Sequence, residues 1–96
     1  GYLIQVVDHL QTHELEVAKV YYRRRSLKAT IDRLLPILET RASGELKQEV
    51  ALLLGKTYEK QDEVELAKNY YELTIENGSD PKLVEIAQNH LNQLSF

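Results

Sequence analysis

The chain has 96 residues, of which 43% are hydrophobic, and it carries a formal net charge of −3 and no cysteine. Its length allows one domain with a modest core, and the lack of cysteine excludes disulfides, thiol nucleophiles and zinc sites with cysteine ligands. The acidic balance argues against nucleic acid as the main ligand, and no apolar run approaches the ~20 residues that a transmembrane helix needs.

Apolar residues at helical spacing predict a first helix from about Tyr2 to Arg24. Its first turns, residues 2–10, extend beyond the hairpin that this helix forms with the next one. Their apolar side chains need a cover, either from a preceding unit or from self-association through the first helix. Because methionine is absent and the helical pattern starts directly after Gly1, we expect the chain to be a piece of a longer protein. The apolar side chains concerned are Leu3, Ile4, Val6, Val7 and Leu10.

Ser26 is a candidate N-cap for a second helix, which we expect to run to about Thr40. Pro36 lies inside this helix and should kink it near Asp32, because the proline ring meets the carbonyl four residues back. We interpret the kink as a bend that wraps the helix around its neighbour. A ligand contact at the kink is the alternative.

The third and fourth helices form a second hairpin. Ser43 is a candidate N-cap for a helix over residues 44–60. Asp62 and Glu65 have the spacing of a capping box, with Asp62 as the cap, at the start of a fourth helix that runs to about Glu76.

A last helix is predicted over residues 81–94. Gly78 stops the fourth helix because glycine adopts the left-handed conformation without strain. Asp80 then serves as the cap and Pro81 as the first residue of the new helix. One side of this helix is apolar and the other polar, as expected of a helix that covers the end of a helical array.

The two hairpins repeat one pattern of large and small residues, with a period of 37 residues. Gly55 stands inside a helix, so its use is to let the partner helix approach closely. A repeated helical hairpin indicates a solenoid. The second copy of the pattern is Leu54, Gly55, Tyr58, Ala67, Tyr71 and Thr74. The first copy is Val17, Ala18, Tyr21, Thr30, Leu34 and Ile37.

The second copy resembles the tetratricopeptide repeat, whose signature is Leu-Gly-x-x-Tyr followed by a small residue, an aromatic residue and another small residue. The resemblance implies an all-α, tetratricopeptide-type α-solenoid of two helical hairpins plus a C-terminal capping helix. Residues 1–96 would form a single helical-repeat domain. Repeat 1 covers about 11–43 with an N-terminal helix extension at 2–10, repeat 2 covers about 48–79, and the capping helix covers about 81–94.

The same resemblance implies a concave groove that binds a partner protein. Two lysines among aliphatic and aromatic residues would suit an extended peptide or the edge of a partner. The family's two-carboxylate clamp needs asparagines that this sequence lacks at the corresponding positions, so we do not expect that ligand. The groove positions are Leu15, Lys19, Tyr22, Leu52, Lys56 and Glu59.

Basic residues concentrate at the turn of the first hairpin. One interpretation is a solvated turn in which Arg33 pairs with a nearby acid. The other is a basic edge that binds an acidic partner protein or phospholipid head groups. Residues 1–44 have a charge balance of +2 and residues 45–96 a balance of −5, so the two halves present different faces. The basic edge consists of Arg23, Arg24, Arg25, Lys28 and Arg33.

No arrangement of residues in the sequence indicates a catalytic site or a cofactor, and we do not expect an enzyme. His9 and His13 lie one helical turn apart and could ligate zinc, but the glutamate that follows the first histidine in zinc peptidases is missing. An ordinary solvated face is the preferred interpretation. His90 stands alone in the sequence, and the four glycines are too scattered for a phosphate-binding loop.

The segments 13–24 and 29–33 resemble a repeat of the outer-membrane β-barrel assembly lipoprotein (BamD-like) family. That family carries Glu-x-x-Val-Ala-x-x-Tyr-Tyr-x-x-Arg, then a turn, then Ala-Ala-Ile-x-Arg. Arg25 departs from the glycine that is usual at the turn. The matching residues are Glu14, Val17, Ala18, Tyr21, Tyr22, Ile31 and Arg33.

This closer resemblance implies a non-catalytic scaffold, the C-terminal part of an assembly lipoprotein at the periplasmic face of the outer membrane. Its expected partners are other subunits of the β-barrel assembly machine. A first alternative is a tetratricopeptide adaptor in another cytoplasmic or periplasmic complex. A second alternative is a metal- or lipid-binding helical domain that uses His9 and His13 or the basic edge.

Overall fold

A computed structural model describes the backbone of residues 2–94 and the side chains of residues 8–94. Over this range the chain forms five α-helices and one 3₁₀ helix, with no strand, so the all-α prediction is confirmed. Among the helices described, none is long and apolar enough to cross a membrane. The helices are α1 (Tyr2–Arg23), α2 (Leu27–Leu34), the 3₁₀ helix (Leu35–Glu39), α3 (Gly44–Lys60), α4 (Val64–Asn77) and α5 (Pro81–Leu94).

Helix α3 lies at the centre of the packing. Consecutive helices contact each other, with α1 against α2, α2 against α3, α3 against α4 and α4 against α5. Helix α3 also contacts both α1 and α5. The short connections make neighbouring helices antiparallel. Helices α1, α3 and α5 are therefore the set that can line one continuous face.

The buried apolar side chains form two clusters that meet at α3. Tyr58 is partly buried and packs against both clusters. Tyr71 in the second cluster is the largest fully buried side chain among the described residues. The first cluster consists of Leu15, Ala18, Ile31, Leu34, Ile37, Ala42, Leu46, Val50 and Leu54. The second consists of Leu52, Ala67, Tyr71 and Ala87.

The contact between α3 and α4 depends on Gly55, as the sequence predicted. A Cβ atom on Gly55 would lie 2.7 Å from both Cδ1 and Cε1 of Tyr71. Ordinary contacts between carbon atoms are ~3.5–4.0 Å. The backbone of α3 therefore rests directly on the Tyr71 ring, and only glycine leaves room for it.

The single second helix predicted to about Thr40 is wrong, because α2 ends at Leu34 and a 3₁₀ helix follows. Pro36 is the second residue of this 3₁₀ helix. Its missing N–H cannot continue the hydrogen-bond ladder of α2, whereas the first turn of a new helix needs no such donor. Thr40 stabilises the end of the 3₁₀ helix, since its Oγ1 donates to the Ile37 carbonyl at 2.7 Å.

The turns that join α1 to α2 and α3 to α4 have the same geometry at positions 37 residues apart. Arg25 has φ 62° and Asp62 has φ 65°, both in the left-handed region. The N–H of each of these residues donates to the carbonyl three residues earlier, at 3.0 Å for Arg25 and 3.1 Å for Asp62. The N–H of the residue that follows donates to the carbonyl five residues earlier, at 2.9 Å in both turns. This is the Schellman arrangement that ends a helix. The 37-residue period of the sequence is therefore also the spacing between two turns of the same backbone geometry.

This geometry shows why two predicted caps are wrong. Ser26 and Glu63 are the residues that precede α2 and α4, and neither makes a side-chain capping bond. The left-handed turn at Asp62 places that residue outside the cap position, so the predicted capping box with Glu65 does not form. Ser43, in contrast, has extended backbone angles and accepts from the Leu46 N–H at 3.3 Å, as predicted.

The two serines give a matched test of the caps. Replacing Ser43 by alanine removes a capping bond and should lower the free energy of unfolding by about 1 kcal/mol. Replacing Ser26 by alanine removes none and should change it by less than about 0.5 kcal/mol. Urea denaturation followed by circular dichroism measures both. Equal losses in the two variants would contradict the assignment.

Candidate interaction groove

Among the open pockets along α3, three are joined in a row by shared lysine side chains, and together we call these three the α3 groove. A further pocket, lined by acidic residues that include Glu45 and Asp80, adjoins the first of them and is not part of the groove. The first, the aliphatic pocket, has a volume of about 230 Å³. Its lining includes Lys19 from α1, Lys56 from α3 and Glu49, also from α3. The aliphatic side chains that line it are Leu52, Leu53, Leu83 and Ile86.

The second, the central pocket, has a volume of about 320 Å³ and is lined by Tyr22, Lys56, Glu59, Lys60 and His90. These residues come from α1, α3 and α5. Because Lys56 lines both the aliphatic and the central pocket, the two are adjacent.

The third, the basic pocket, has a volume of about 350 Å³ and lies at the turn between α1 and α2. It is lined by Arg25, Leu27 and Lys60. Lys60 also lines the central pocket, so the groove extends from the aliphatic residues of α3 and α5 to the basic turn. Arg25 is the residue of the predicted basic edge that lines this groove, so the predicted groove and the predicted basic edge meet at this residue.

Five of the six predicted groove residues line this surface, namely Lys19, Tyr22, Leu52, Lys56 and Glu59. Leu15 does not, because it is only 1% exposed and belongs to the first core cluster. The side chain of Leu15 points into the interior of the packed helices, where it contributes to stability rather than to a surface. Its assignment to the groove is corrected here.

A cluster of three polar side chains joins α3, α4 and α5 beneath the central pocket. The Tyr71 hydroxyl donates to Glu59 Oε1 at 2.7 Å. His90 Nδ1 lies 3.0 Å from the same oxygen and 3.2 Å from the Tyr71 hydroxyl. The His90 and Tyr71 rings stack, with centroids 4.9 Å apart. The cluster fixes the wall that α5 contributes to the groove.

His90 is the functional residue that sequence reasoning missed. It stands alone in the sequence, and its two partners lie 31 and 19 residues away on other helices. A polar residue on the amphipathic last helix gave no signal of this pairing. Only the packing of α5 against α3 and α4 brings the three groups together.

Burial sets the protonation of Tyr71. Removal from water raises the pKa of its hydroxyl well above the usual value, and the hydrogen bond to Glu59 raises it further. Burial likewise raises the pKa of Tyr22, with a smaller contribution from the charge of Glu59. Both hydroxyls therefore stay protonated, and Tyr71 remains a donor to Glu59.

The raised pKa of Tyr71 predicts a loss of stability in alkaline solution. Above pH ~10 the unfolded state releases the tyrosine proton while the folded state retains it, so stability falls as the pH rises. In Tyr71→Phe this contribution is absent, and the free energy of unfolding should fall less steeply above pH ~10. Urea denaturation at a series of alkaline pH values measures both slopes. Parallel slopes would contradict this linkage.

Lys19 holds α1 against α3. Its Nζ lies 2.8 Å from Glu49 Oε1 and 3.1 Å from Glu16 Oε1. The hydrogen bond to Glu49 is the main cause that raises the pKa of Lys19, against a smaller opposing effect of burial. Lys19 is thus neutralised, whereas Lys56 forms no ion pair with the described residues. Lys60 contacts the face of Tyr22, with 5.1 Å from Nζ to the ring centroid.

The basic edge divides into two parts. A guanidinium nitrogen of Arg33 lies 3.1 Å from Glu14 Oε2, and the Arg33 Cζ lies over the Tyr21 ring, 5.9 Å from its centroid. Arg33 therefore holds α2 against α1. Its pairing with an acid confirms the structural interpretation for this residue. The others are exposed and form no ion pair within the described part of the chain. They are Arg23, Arg24, Arg25 and Lys28.

The described side chains in the N-terminal half of α1 are mostly exposed. His9 and His13 are both exposed, and within residues 8–94 no group of three or more histidine, aspartate or glutamate side chains could hold a metal ion. Leu10 is 59% exposed. The other side chains of the predicted self-association surface, at positions 3–7, lie outside the described residues.

Comparison of the chain with protein-family models, with curated proteins and with solved structures gave no match.

Proposed function

We propose that the chain is a non-catalytic protein-interaction module of the tetratricopeptide type, which binds an extended segment of a partner protein in the α3 groove. The observation that carries this proposal is the row of three linked pockets along one helix. A row of pockets suits a linear ligand, which presents successive side chains at a regular spacing.

Two features support the repeat type. The turns at Arg25 and Asp62 have the same hydrogen bonds 37 residues apart, as expected if one hairpin recurs. The contact of Gly55 with Tyr71 uses the glycine and the aromatic residue of the repeat signature. Helices α1, α3 and α5 each contribute to the groove, as the first helices of successive repeats would.

The polar groups at the groove support binding rather than catalysis. Glu59 is occupied by Tyr71 and His90, and Glu49 by Lys19. Tyr71 is fully buried, so its hydroxyl cannot reach a substrate. These pairs connect helices to one another, and they leave lysine side chains for a ligand.

Two matched variants test the groove. Ile86 lines the aliphatic pocket on α5 and is 37% exposed, while Leu73 on α4 is 39% exposed and lies outside the groove lining. The folded chain is used to select binders from a phage-displayed library of linear peptides. The selected peptides should lose at least about tenfold in affinity for Ile86→Glu, because a charge replaces the apolar wall. Leu73→Glu should bind them as the native chain does.

Equal binding to the native chain and to both variants would place the ligand elsewhere and reject the groove. A library that yields no binder would also count against the proposal. Circular dichroism of each variant checks that the helices are intact, so that a loss of binding reports on the surface.

We further propose that the partners are subunits of the β-barrel assembly machine, at the periplasmic face of the outer membrane. The support is the resemblance of residues 13–33 to the assembly lipoprotein family. Among its matching residues, Arg33 on α2 pairs with Glu14 and lies over the ring of Tyr21, so it holds the two helices of the first hairpin together. These three residues explain the fold of this segment, so partner binding falls to the exposed arginines.

An envelope extract gives the test. The native chain and a variant with Arg23, Arg24 and Arg25 changed to glutamate are used as baits side by side. Retention of a named assembly subunit by the native chain alone would support docking at the basic edge. Retention by both would assign the interface to the groove or to the long first helix. If neither bait retains an assembly subunit, this second proposal is rejected and the general one is unaffected.

A further inference from the structure

We infer that the α3 groove recognises an extended segment with one large aliphatic side chain followed by acidic side chains at every second position. The inference rests on the proposed function and specifies its ligand. Charge, pocket chemistry and the spacing of residues along α3 each contribute to it.

The aliphatic pocket defines one end of the ligand. Leu52, Leu83 and Ile86 face it from α3 and α5. Leu52 is only 5% exposed and forms the floor, whereas Ile86 remains partly exposed at the side. A leucine or isoleucine side chain fits these walls, and burying one is worth ~1.5–3 kcal/mol before the costs of association.

The charged side chains of the groove define the other end of the ligand. The acids of the groove are occupied, since Glu59 is hydrogen-bonded to Tyr71 and Glu49 is paired with Lys19. In contrast, Lys56, Lys60 and Arg25 have no acidic partner among the described residues. A ligand that enters the central and basic pockets therefore meets cations that are free to pair. Carboxylates are the complement that they favour.

The spacing along α3 sets the pattern. Leu52, Lys56 and Lys60 follow one another at intervals of four residues, which is about 6 Å along a helix. An extended chain advances about 6.6 Å for every two residues, and its alternate side chains point to the same side. Alternate side chains of one strand can therefore meet these three residues in turn. Arg25 lies beyond Lys60 and extends the pattern by one more acidic side chain.

The contacts fix the spacing of the ligand and leave its chain direction open. A peptide in which leucine comes first, with glutamates at alternate positions after it, satisfies the pattern. So does the reversed sequence. Both directions are included in the test.

Fluorescence anisotropy with designed peptides tests the inference. The probe is a fluorescein-labelled peptide of one leucine and alternating glutamate and serine, made in both directions. The control peptide has the same composition with its glutamates moved to consecutive positions. We expect the alternating peptide, in one direction, to bind the native chain about tenfold more tightly than the control.

Protein variants show which lysines bind the acidic side chains of the peptide. The double variant Lys56→Gln and Lys60→Gln removes two cations from the groove and should weaken binding of the alternating peptide about tenfold. The matched double variant Lys68→Gln and Lys82→Gln removes two cations from α4 and α5 and should leave binding unchanged. None of these four lysines belongs to the core clusters, so folding is retained.

The outcomes separate this inference from the proposed function. Equal affinity for the alternating and control peptides overturns the inference, and so does equal binding by both double variants. Library peptides of another pattern that depend on Ile86 overturn it as well, while the groove remains the binding site. If no peptide binds but vesicles containing phosphatidylglycerol do, both the inference and the proposed function fail.

Discussion

Replacing Gly55 by leucine is expected to lower the free energy of unfolding by about 3 kcal/mol or more. The cause is steric, because even a Cβ atom at this position would lie 2.7 Å from the Tyr71 ring. Leucine is a good helix former, so intrinsic helix propensity works in the opposite direction. Gly55→Ala should show a smaller loss, about 1 kcal/mol, after its gain in helix propensity.

The Tyr71 ring cannot move aside at low cost. It is fully buried, its hydroxyl is bonded to Glu59, and its face is stacked on His90. Relief of the contact therefore requires α3 and α4 to separate or the polar cluster to break. Either change also disturbs α5 and the central pocket. Peptide binding should weaken together with stability in these variants.

Gly44 provides the control for Gly55. It is the first residue of α3, and a Cβ there would lie 3.3 Å from the exposed Ser79 hydroxyl oxygen. Gly44→Ala should change stability by less than about 0.5 kcal/mol. A double-mutant cycle with Tyr71→Leu isolates the contact, since Gly55→Ala should cost less when the ring is absent. Additive effects would show that the Tyr71 ring is not the obstacle.

The second large effect concerns Gln48, and Gln48→Leu is expected to cost about 2–4 kcal/mol. The side chain is 1% exposed and spans the loop between α4 and α5. Its Nε2 donates to the carbonyls of Thr74 and Asp80, each at 3.1 Å. Its Oε1 accepts from the Asp80 N–H at 2.7 Å. Leucine would leave the Asp80 N–H without a hydrogen-bond partner among the described residues. It would also take one donor each from the Thr74 and Asp80 carbonyls, which keep bonds from backbone N–H groups of the loop and of α5.

Gln88 gives the matched control, because it is exposed on α5 and, among the described residues, its side chain bonds to the exposed Asn92 alone. Gln88→Leu should change the free energy of unfolding by less than about 0.5 kcal/mol. Hydrogen exchange adds a local readout, since the amides of α5 should exchange faster in Gln48→Leu than in the native chain. Unchanged protection of α5 would mean that Gln48 does not hold this helix in place.

The helices α3 and α5 were predictable because their signals are local. Ser43 and Asp80 precede them as caps, and the Asp80 carboxylate accepts from the Lys82 N–H at 2.9 Å. Gly78 ends α4 with φ 64°, as a glycine after a helix should. The need for glycine at position 55 also followed from the pattern, because a glycine inside a helix costs stability unless a neighbour approaches closely.

The errors at Ser26 and Asp62 have one cause. Both residues have side chains suited to capping, but each lies in a Schellman turn. The left-handed residue of the first turn is Arg25, next to Ser26, and that of the second turn is Asp62 itself. No glycine marks either turn, so the usual signal was missing. The end of α2 at Leu34 was predicted as a kink because the local sequence around Pro36 does not show the tertiary contacts. Whether a proline bends a helix or starts a new one depends on what its neighbours pack against.

The candidate groove was predictable in part. Lys19, Tyr22, Lys56 and Glu59 line pockets along α3, on the side of the helices that the sequence pattern indicated. Leu15 was misplaced, since the same pattern does not tell how deeply α1 is buried. The contribution of α5 and the roles of Gln48 and His90 depend on contacts between residues distant in the chain. One sequence contains no local signal for such contacts.

The left-handed residue Arg25 sets the stability of the backbone against the proposed binding of an acidic ligand at one position. Glycine there would relieve about 1 kcal/mol of backbone strain, yet it would remove a cation from the basic pocket. Asp62 has the same left-handed backbone in the equivalent turn, which aspartate tolerates better than arginine, and it does not line the groove. Glycine there would therefore stabilise the fold by a smaller amount without this loss. Selection for heat resistance alone would favour glycine at both turns, whereas selection for an acidic ligand would retain arginine at the first.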